Sequence, residues 1–174
     1  LPDGGSRMIA FLGGTIGNLL PAERATFLGS VRGVLDAGEW LLLGADLVKD
    51  VRTLLPAYDD AAGVTADFNR NVLRVINRHL DAGFAPERFD HVAVWDPDNE
   101  WVEMRLRARE TMRVPVRGLD LEVDFARGEL LRTEISAKFR PERLRDELAT
   151  AGFRLRQRWT DDDGLFTVCL AQAA

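Results

Sequence analysis

The segment Phe11-Leu12-Gly13-Gly14-Thr15-Ile16-Gly17-Asn18 constrains the fold more than any other part of the chain. An apolar run, Met8 to Leu12, empties into a glycine-rich turn and stops on a polar amide, and Pro21 then opens a helix. Proline suits the first helical turn because the N–H it lacks would be unpaired there anyway. Strand, tight loop and helix start make the opening of a β-α unit. In open α/β sheets ligands bind just outside the carboxyl ends of the strands. A chain that begins almost directly on a buried strand reads as the second half of a larger fold, with roughly a half-domain expected before Leu1.

The remaining pattern extends this unit. Apolar positions Ala25, Leu28, Val31, Val34 and Leu35 recur at helical spacing, which predicts a helix from Pro21 to Ala37 with Gly38 at its C-terminal cap. Trp40 to Ala45 is a continuous apolar run, the pattern of a strand buried on both faces, and residues 7–46 therefore form a β-α-β unit with parallel strands. A short helix is expected over 49–60. A longer one follows over 64–80, with Val64, Phe68, Val72, Ile76 and Leu80 on one face and Gly83 at its end. The character then changes to antiparallel strands at 92–95, 101–109, 111–117, 119–125 and 130–139, with Asp96-Pro97-Asp98-Asn99 and Arg127-Gly128 as turns. In 101–109, Val102, Met104, Leu106 and Ala108 alternate with Glu103, Arg105, Arg107 and Arg109, the mark of a half-exposed strand. Pro141 opens a last helix closed by Gly152, and strands at 153–160 and 165–171 flank the hairpin turn Asp161-Asp162-Asp163-Gly164.

Composition excludes several classes. A chain of 174 residues is one domain's worth, and its net charge of −5 argues against a general nucleic-acid binder, which carries a basic face. No run of about 18 apolar residues predicts a membrane span. Cys169 lies in an apolar run with no second cysteine to pair with, so packing is its expected role. His79 and His91 lack metal-ligand spacing, and no metal is expected. A reducing cytoplasm is the default compartment.

Two motifs could carry chemistry. The loop Gly13–Gly17 lacks the GK[ST] of a phosphate loop and the GxGxxG spacing of a dinucleotide fold, but its glycines let a ligand approach the backbone closely. Asn18 then either offers a donor and acceptors to a polar ligand or caps the following helix. On the strand 130–139, Arg132, Glu134, Ser136 and Lys138 share one face, opposite Leu131, Thr133, Ile135, Ala137 and Phe139. A carboxylate and a hydroxyl two residues apart can accept from one nitrogen and donate to another, which suits an imidazole; alternating charge on a solvated face is the competing reading. Tyr58, the only tyrosine, reads locally as an amphipathic core residue, Met104 as core packing, and Asp46 as a ligand contact or a helix cap.

The chain as a whole resembles the histidine Nα-methyltransferase family of ergothioneine biosynthesis. The resemblance covers nearly all of residues 7–171, through FLGGTIGN (11–18), LLLGADLVKD (41–50), AYDDAAGVTADFN (57–69), VLRVINR (72–78), WVEMRLRA (101–108) and RTEISAKF (132–139). It implies an α/β fold, the C-terminal part of a class I Rossmann-like S-adenosylmethionine-dependent methyltransferase with an inserted α+β substrate-binding domain. Residues 1–50 would complete the core, 51–139 form the substrate-binding domain, and 140–174 return to the core sheet. The implied reaction is threefold methylation of the α-amino group of L-histidine to hercynine. Gly13 and Asn18 would lie at the amino-acid end of the substrate. Tyr58 would help hold the carboxylate, Met104 would line the pocket, and Glu134 and Ser136 would hold the imidazole. The cofactor-binding residues would precede Leu1, so the isolated chain is expected to bind S-adenosylmethionine poorly and to be inactive. The intact parent would be a cytoplasmic monomer. The alternatives are a methyltransferase for another amino acid or small amine, a non-catalytic amino-acid-binding module, and a first half supplied by a separate polypeptide.

Overall fold

A computed structural model of the chain describes residues 5–174. In chain order its elements are β1 (Met8–Phe11), a 3-10 turn (Thr15–Asn18), α1 (Pro21–Gly33), β2 (Trp40–Asp46), α2 (Val51–Tyr58), α3 (Val64–Leu80), β3 (Phe89–Asp96), β4 (Trp101–Ala108), β5 (Met112–Val116), β6 (Leu121–Phe125), β7 (Leu130–Ala137), α4 (Pro141–Thr150), β8 (Phe153–Thr160) and β9 (Phe166–Ala173). They divide into two compact units. The first takes residues up to Lys49, Pro97–Trp101 and Ser136–Ala174; the second takes Asp50–Asp96 and Val102–Ile135. Among the described residues no helix is long and apolar enough to cross a membrane.

The first unit is a sheet in the order β1-β2-β9-β8 with α1 and α4. β1 runs parallel to β2, Met8 opposite Trp40, as the β-α-β reading requires; β9 is antiparallel to β2, and β8 to β9. Register explains the core. Leu41, Leu43 and Ala45 of β2 lie beside Ala171, Cys169 and Thr167 of β9, and all six are fully buried. Small side chains on β9 leave room for the leucines of β2. On the other face Trp40 and Leu42 are only half-buried, which corrects the expectation that β2 is covered on both sides.

α1 ends at Gly33, four residues before the predicted Ala37. Arg32 turns back to donate to the Leu35 carbonyl at 2.8 Å, and the Asp36 N–H is taken by Glu39 at 2.7 Å, so the backbone leaves the helix for a turn. Gly38, with φ of 88°, belongs to that turn instead of capping the helix. Glu39 is held down to a pKa of about 2, chiefly by hydrogen bonds from the Arg7 guanidinium, with burial opposing. The pair fixes the start of β1 against the start of β2, where Trp40 N donates to Arg7 O at 3.1 Å.

Arg24 is a buried charge of this unit, its side chain 1% exposed. Its Nε and Nη2 donate to the two oxygens of Glu147 on α4 at 3.0 and 2.9 Å, and its Nη1 donates to Leu19 O at 2.8 Å. Its guanidinium carbon sits 5.2 Å from the centre of the Phe139 ring. One side chain thus ties together α1, α4, the exit of the glycine loop and the chain after β7.

The second unit holds α2, α3, a sheet in the order β3-β4-β7 and the hairpin β5-β6. Leu73, Phe89, Leu106, Ala108, Met112, Val114 and Phe125 form its core, with Phe89 edge-on to Phe125 at 5.4 Å. The buried line of α3 is Asn69 and Leu73, continued by the half-buried Ile76 and Leu80, while Val64 and Phe68 are 68% and 65% exposed. The predicted stripe is therefore turned by about one residue at its N-terminal end. The helix stops at Asp81 in the left-handed conformation (φ 46°), two residues before the expected Gly83. At its other end Asp60 accepts from Val64 N and Thr65 N, which lowers its pKa to about 2.

Candidate active site

The glycine loop leaves β1 through Gly13 and Gly14, whose φ values of 84° and 73° are ones a side chain resists. Gly17 is required for a second reason. A Cβ there would lie 2.6 Å from the Ala137 carbonyl, so only glycine lets the loop close on the end of β7. Ile16 and Gly17 are buried, while Gly13 and Asn18 face solvent. Asn18 closes the 3-10 turn, and α1 begins three residues later with Leu20 at its N-cap position, whose N–H is taken by Glu23 at 2.7 Å. The helix-cap reading of Asn18 is thereby removed.

Ser136 lies in this same unit, 8% exposed, beside the Ala137 backbone that Gly17 meets. Lys138 follows, its side chain wholly buried, with Nζ 2.8 Å from Ser136 Oγ and 2.8 Å from Asp46 Oδ2. The other oxygen of Asp46 takes Lys49 Nζ at 2.5 Å. Asp46 is thus committed to two lysines and does not cap α2, whose N-cap is Asp50. Backbone bonds from Phe139 N to Asp46 O (2.8 Å) and from Val48 N to Phe139 O (3.1 Å) lock the segment after β7 against the end of β2. The solvated-face reading of this strand fails at Ser136 and Lys138, which are buried, and weakens at Glu134, which is half-buried.

The second unit carries Tyr58, Met104 and Glu134. Tyr58 ends α2 and is half-buried; Met104, on β4, is 5% exposed. A buried polar network links the backbone around them. Asn69 Nδ2 lies 3.1 Å from Arg105 O, an atom that only accepts, so the amide nitrogen must face it. The same nitrogen donates to His91 Nδ1 at 2.8 Å. Nδ1 therefore accepts, Nε2 carries the hydrogen, and it donates to Tyr58 O at 2.7 Å. On the other side the Thr133 hydroxyl lies 2.6 Å from Asn69 Oδ1 and 2.9 Å from Met104 O. Asn69 thereby fixes the positions of Tyr58, Met104 and the residue before Glu134.

Sequence reasoning singles out none of Asn69, His91, Thr133 and Lys138 as a site residue, and marks Asp46 as a ligand contact or a helix cap. A signal for Asn69 existed: with Leu73, Ile76 and Leu80 it follows helical spacing, an amide within an apolar line. Glu103, expected on the exposed face of β4, is 4% exposed and is bridged by Arg105 and Arg132. A cleft of about 920 Å³ lies between α1 and α4, lined by Ala25, Leu28, Arg143 and Thr150, and holds none of the six predicted residues. Cys169 is buried on β9, and burial pushes its thiol up, away from nucleophilic use.

The family model for S-adenosylmethionine-dependent, histidine-specific methyltransferases matches residues 1–173. The chain belongs to that family. It is 57% identical over 171 residues to a histidine N-alpha-methyltransferase of Mycolicibacterium smegmatis and 54% identical over 171 residues to one of Mycobacterium tuberculosis; each match covers 98% of this chain and 53% of the relative. An ergothioneine biosynthesis protein 1 of Neurospora crassa is 29% identical over 88% of this chain and 17% of its own length. The chain spans about half the length of the curated bacterial relatives it matches. Family and architecture agree with the sequence reading: a mixed α/β fold in which a parallel β-α-β unit and a terminal antiparallel hairpin share one sheet.

Proposed function

We propose that the protein methylates the α-amino nitrogen of L-histidine three times, with S-adenosylmethionine as donor, giving hercynine. The observation that carries this reading is the family match over residues 1–173. Burial of Ser136 on the strand that also bears Glu134 supports it, because a buried hydroxyl and a half-buried carboxylate two residues apart provide one donor and one acceptor for an imidazole. We assign the imidazole to Glu134 and Ser136, the carboxylate to Tyr58, the amino-acid end to Gly13 and Asn18, and a wall of the pocket to Met104. Residues 51–139 serve as the substrate-binding domain, residues 1–50 and 140–174 as core. The working form is a cytoplasmic monomer.

The donor brings a methyl group already activated on a sulfonium, and no residue of this chain is assigned to holding it. The protein's part is positional. The neutral amine must be held in line with the methyl–sulfur bond at roughly 3–3.5 Å. In each round an N–C bond forms while the C–S bond breaks and leaves its electron pair on sulfur. The nitrogen sheds a proton after the first and second transfers, and the third leaves a quaternary ammonium. Because the amine must turn between rounds, the grip belongs on the ring and the carboxylate. The polar groups around the ring supply specificity, since they go unpaired when a substrate lacks its nitrogens.

The test incubates the full-length protein with histidine and S-adenosylmethionine and follows mono-, di- and trimethylhistidine by mass spectrometry. Trimethylhistidine is expected; no methylated histidine from active protein refutes the reading. Glu134→Ala should weaken histidine binding by roughly 1–3 kcal/mol, the value of a charged hydrogen bond. An unchanged KM would point to a different amino acid or amine.

A further inference from the structure

We propose that Phe166 is a positioning residue for the methyl-accepting amine: its ring, carried at the start of β9, is wedged between the glycine loop and β2 and so fixes where the amino-acid end of the substrate sits. This rests on the assignment of Gly13 and Asn18 to that end. A Cβ built on Gly14 would lie 3.5 Å from Phe166 Cε2, and one built on Gly44 would lie 3.1 Å from its Cζ and 3.4 Å from Leu12 Cα. One ring therefore occupies the side-chain space of two glycines, one in the loop and one in β2. Gly44 lies in regular strand and has no positive φ, so its backbone does not call for glycine; the close approach of the ring does.

The position of Gly14 passes directly to the rest of the loop. Its carbonyl accepts from Gly17 N at 3.0 Å, which sets the 3-10 turn that ends on Asn18. Gly17 meets the Ala137 carbonyl on one side of the loop, and Phe166 meets Gly14 on another. The ring is itself held in place. Asp161 Oδ1 accepts from Leu165 N and Phe166 N at 2.8 and 2.7 Å, and Leu165 O accepts from Leu47 N at 3.0 Å, so the hairpin turn anchors Phe166 to the end of β2. Filling the core does not account for the residue. Phe166 is half-buried on the face of β9 opposite the buried Thr167, Cys169 and Ala171. A rigid ring against the loop is intelligible if the loop must not drift, because the amine has to meet the methyl–sulfur axis, and a misplacement of about 1 Å can cost on the order of 100-fold in rate.

The experiment runs the full-length protein with histidine and S-adenosylmethionine and compares wild type, F166L, F166M, G44A and G44A/F166L. Mono-, di- and trimethylhistidine are quantified by mass spectrometry at equal total methyl transfer, alongside kcat, KM and thermal melts. Product distribution at equal conversion does not depend on how much enzyme is folded, so it separates a misplaced amine from a mere loss of folded protein. The three rounds present an amine of growing bulk, and a loose loop slows them unequally. F166L should lower kcat by roughly three- to thirtyfold, keep the histidine KM within about twofold, and raise the share of mono- and dimethylhistidine at least about threefold. F166M keeps most of the volume in a flexible chain and should fall between F166L and wild type; it carries the test if F166L melts out. G44A/F166L should lie nearer wild type than either single variant, because the added methyl refills the space that the smaller side chain leaves. A wild-type product distribution in F166L, or multiplying losses in the double variant, would overturn the assignment while leaving histidine methylation intact. A wild-type protein that does not methylate histidine overturns both the functional reading and this assignment.

Discussion

Arg24 and Glu147 form an ion pair whose loss is asymmetric. Arg24 is 1% exposed and Glu147 24% exposed, so the two ends of the pair face different penalties. Removing the carboxylate by Glu147→Ala strands a guanidinium that keeps only Leu19 O and the Phe139 ring. Breaking a buried pair in this way costs about 3–5 kcal/mol; partial access of water to the Glu147 side lowers the expectation to about 2–4 kcal/mol. Removing the cation by Arg24→Met fills the space of the stem with an apolar chain, and Glu147 retains Arg143 at 3.2 Å and some solvent. What remains unpaid is one carbonyl, Leu19 O, worth about 1–2 kcal/mol. Glu147→Ala should thus be the worse variant, and the double variant should resemble Arg24→Met alone. Urea denaturation of the full-length protein measures this without adding salt that screens the pair. Because Arg24 also holds the exit of the glycine loop, Arg24→Met should raise the histidine KM at temperatures where the protein is fully folded. Equal destabilisation by both single variants, with additive effects in the double, would refute the reasoning.

Further expectations concern the loop, the network and the acid limb. Gly17→Ala would place a methyl 2.6 Å from the Ala137 carbonyl, and since backbone cannot swing aside, a loss of about 1–3 kcal/mol is expected in the same urea assay. Asn69→Leu leaves His91 Nδ1 and Arg105 O without their partner, which should cost about 2–4 kcal/mol and raise the histidine KM by loosening Tyr58; unchanged kinetics would separate the network from the substrate site. Glu39 and Asp60 both titrate at about 2 in the folded protein, below the ordinary carboxylate range near 4, so the folded form binds fewer protons. Their stabilisation is present above pH of about 4 and fades as pH falls towards 2, and Asp60→Asn should flatten part of that decline in urea midpoints taken across the range.

Local chemistry made much of this protein legible in its sequence. The run Phe11–Asn18 encodes a strand, a turn that needs left-handed backbone and a helix start, and all three are set by neighbours within a few residues. Alternation over 130–139 correctly separated Ser136 and Lys138 from Ile135 and Ala137, because side chains in a strand must point to opposite faces. Where faces compete, pattern alone misled. Val64 and Phe68 drew the α3 stripe to themselves, yet the core took the line through Asn69 and Leu73, since an amide with three hydrogen-bonding partners is satisfied inside as well as a leucine is. Likewise Gly38 and Gly83 looked like helix ends, but Arg32 and Asp81 ended the helices first. The sequence by itself determined the elements and the family. Only the tertiary structure decided which distant residues meet: Asp46 and Lys138, 92 positions apart in the chain, meet at 2.8 Å, and Asn69 reaches His91 and Thr133. Periodicity reports which face a residue occupies and carries no information about which distant residue shares that face. Pairings of this kind arise only when the sheet and helices close around them.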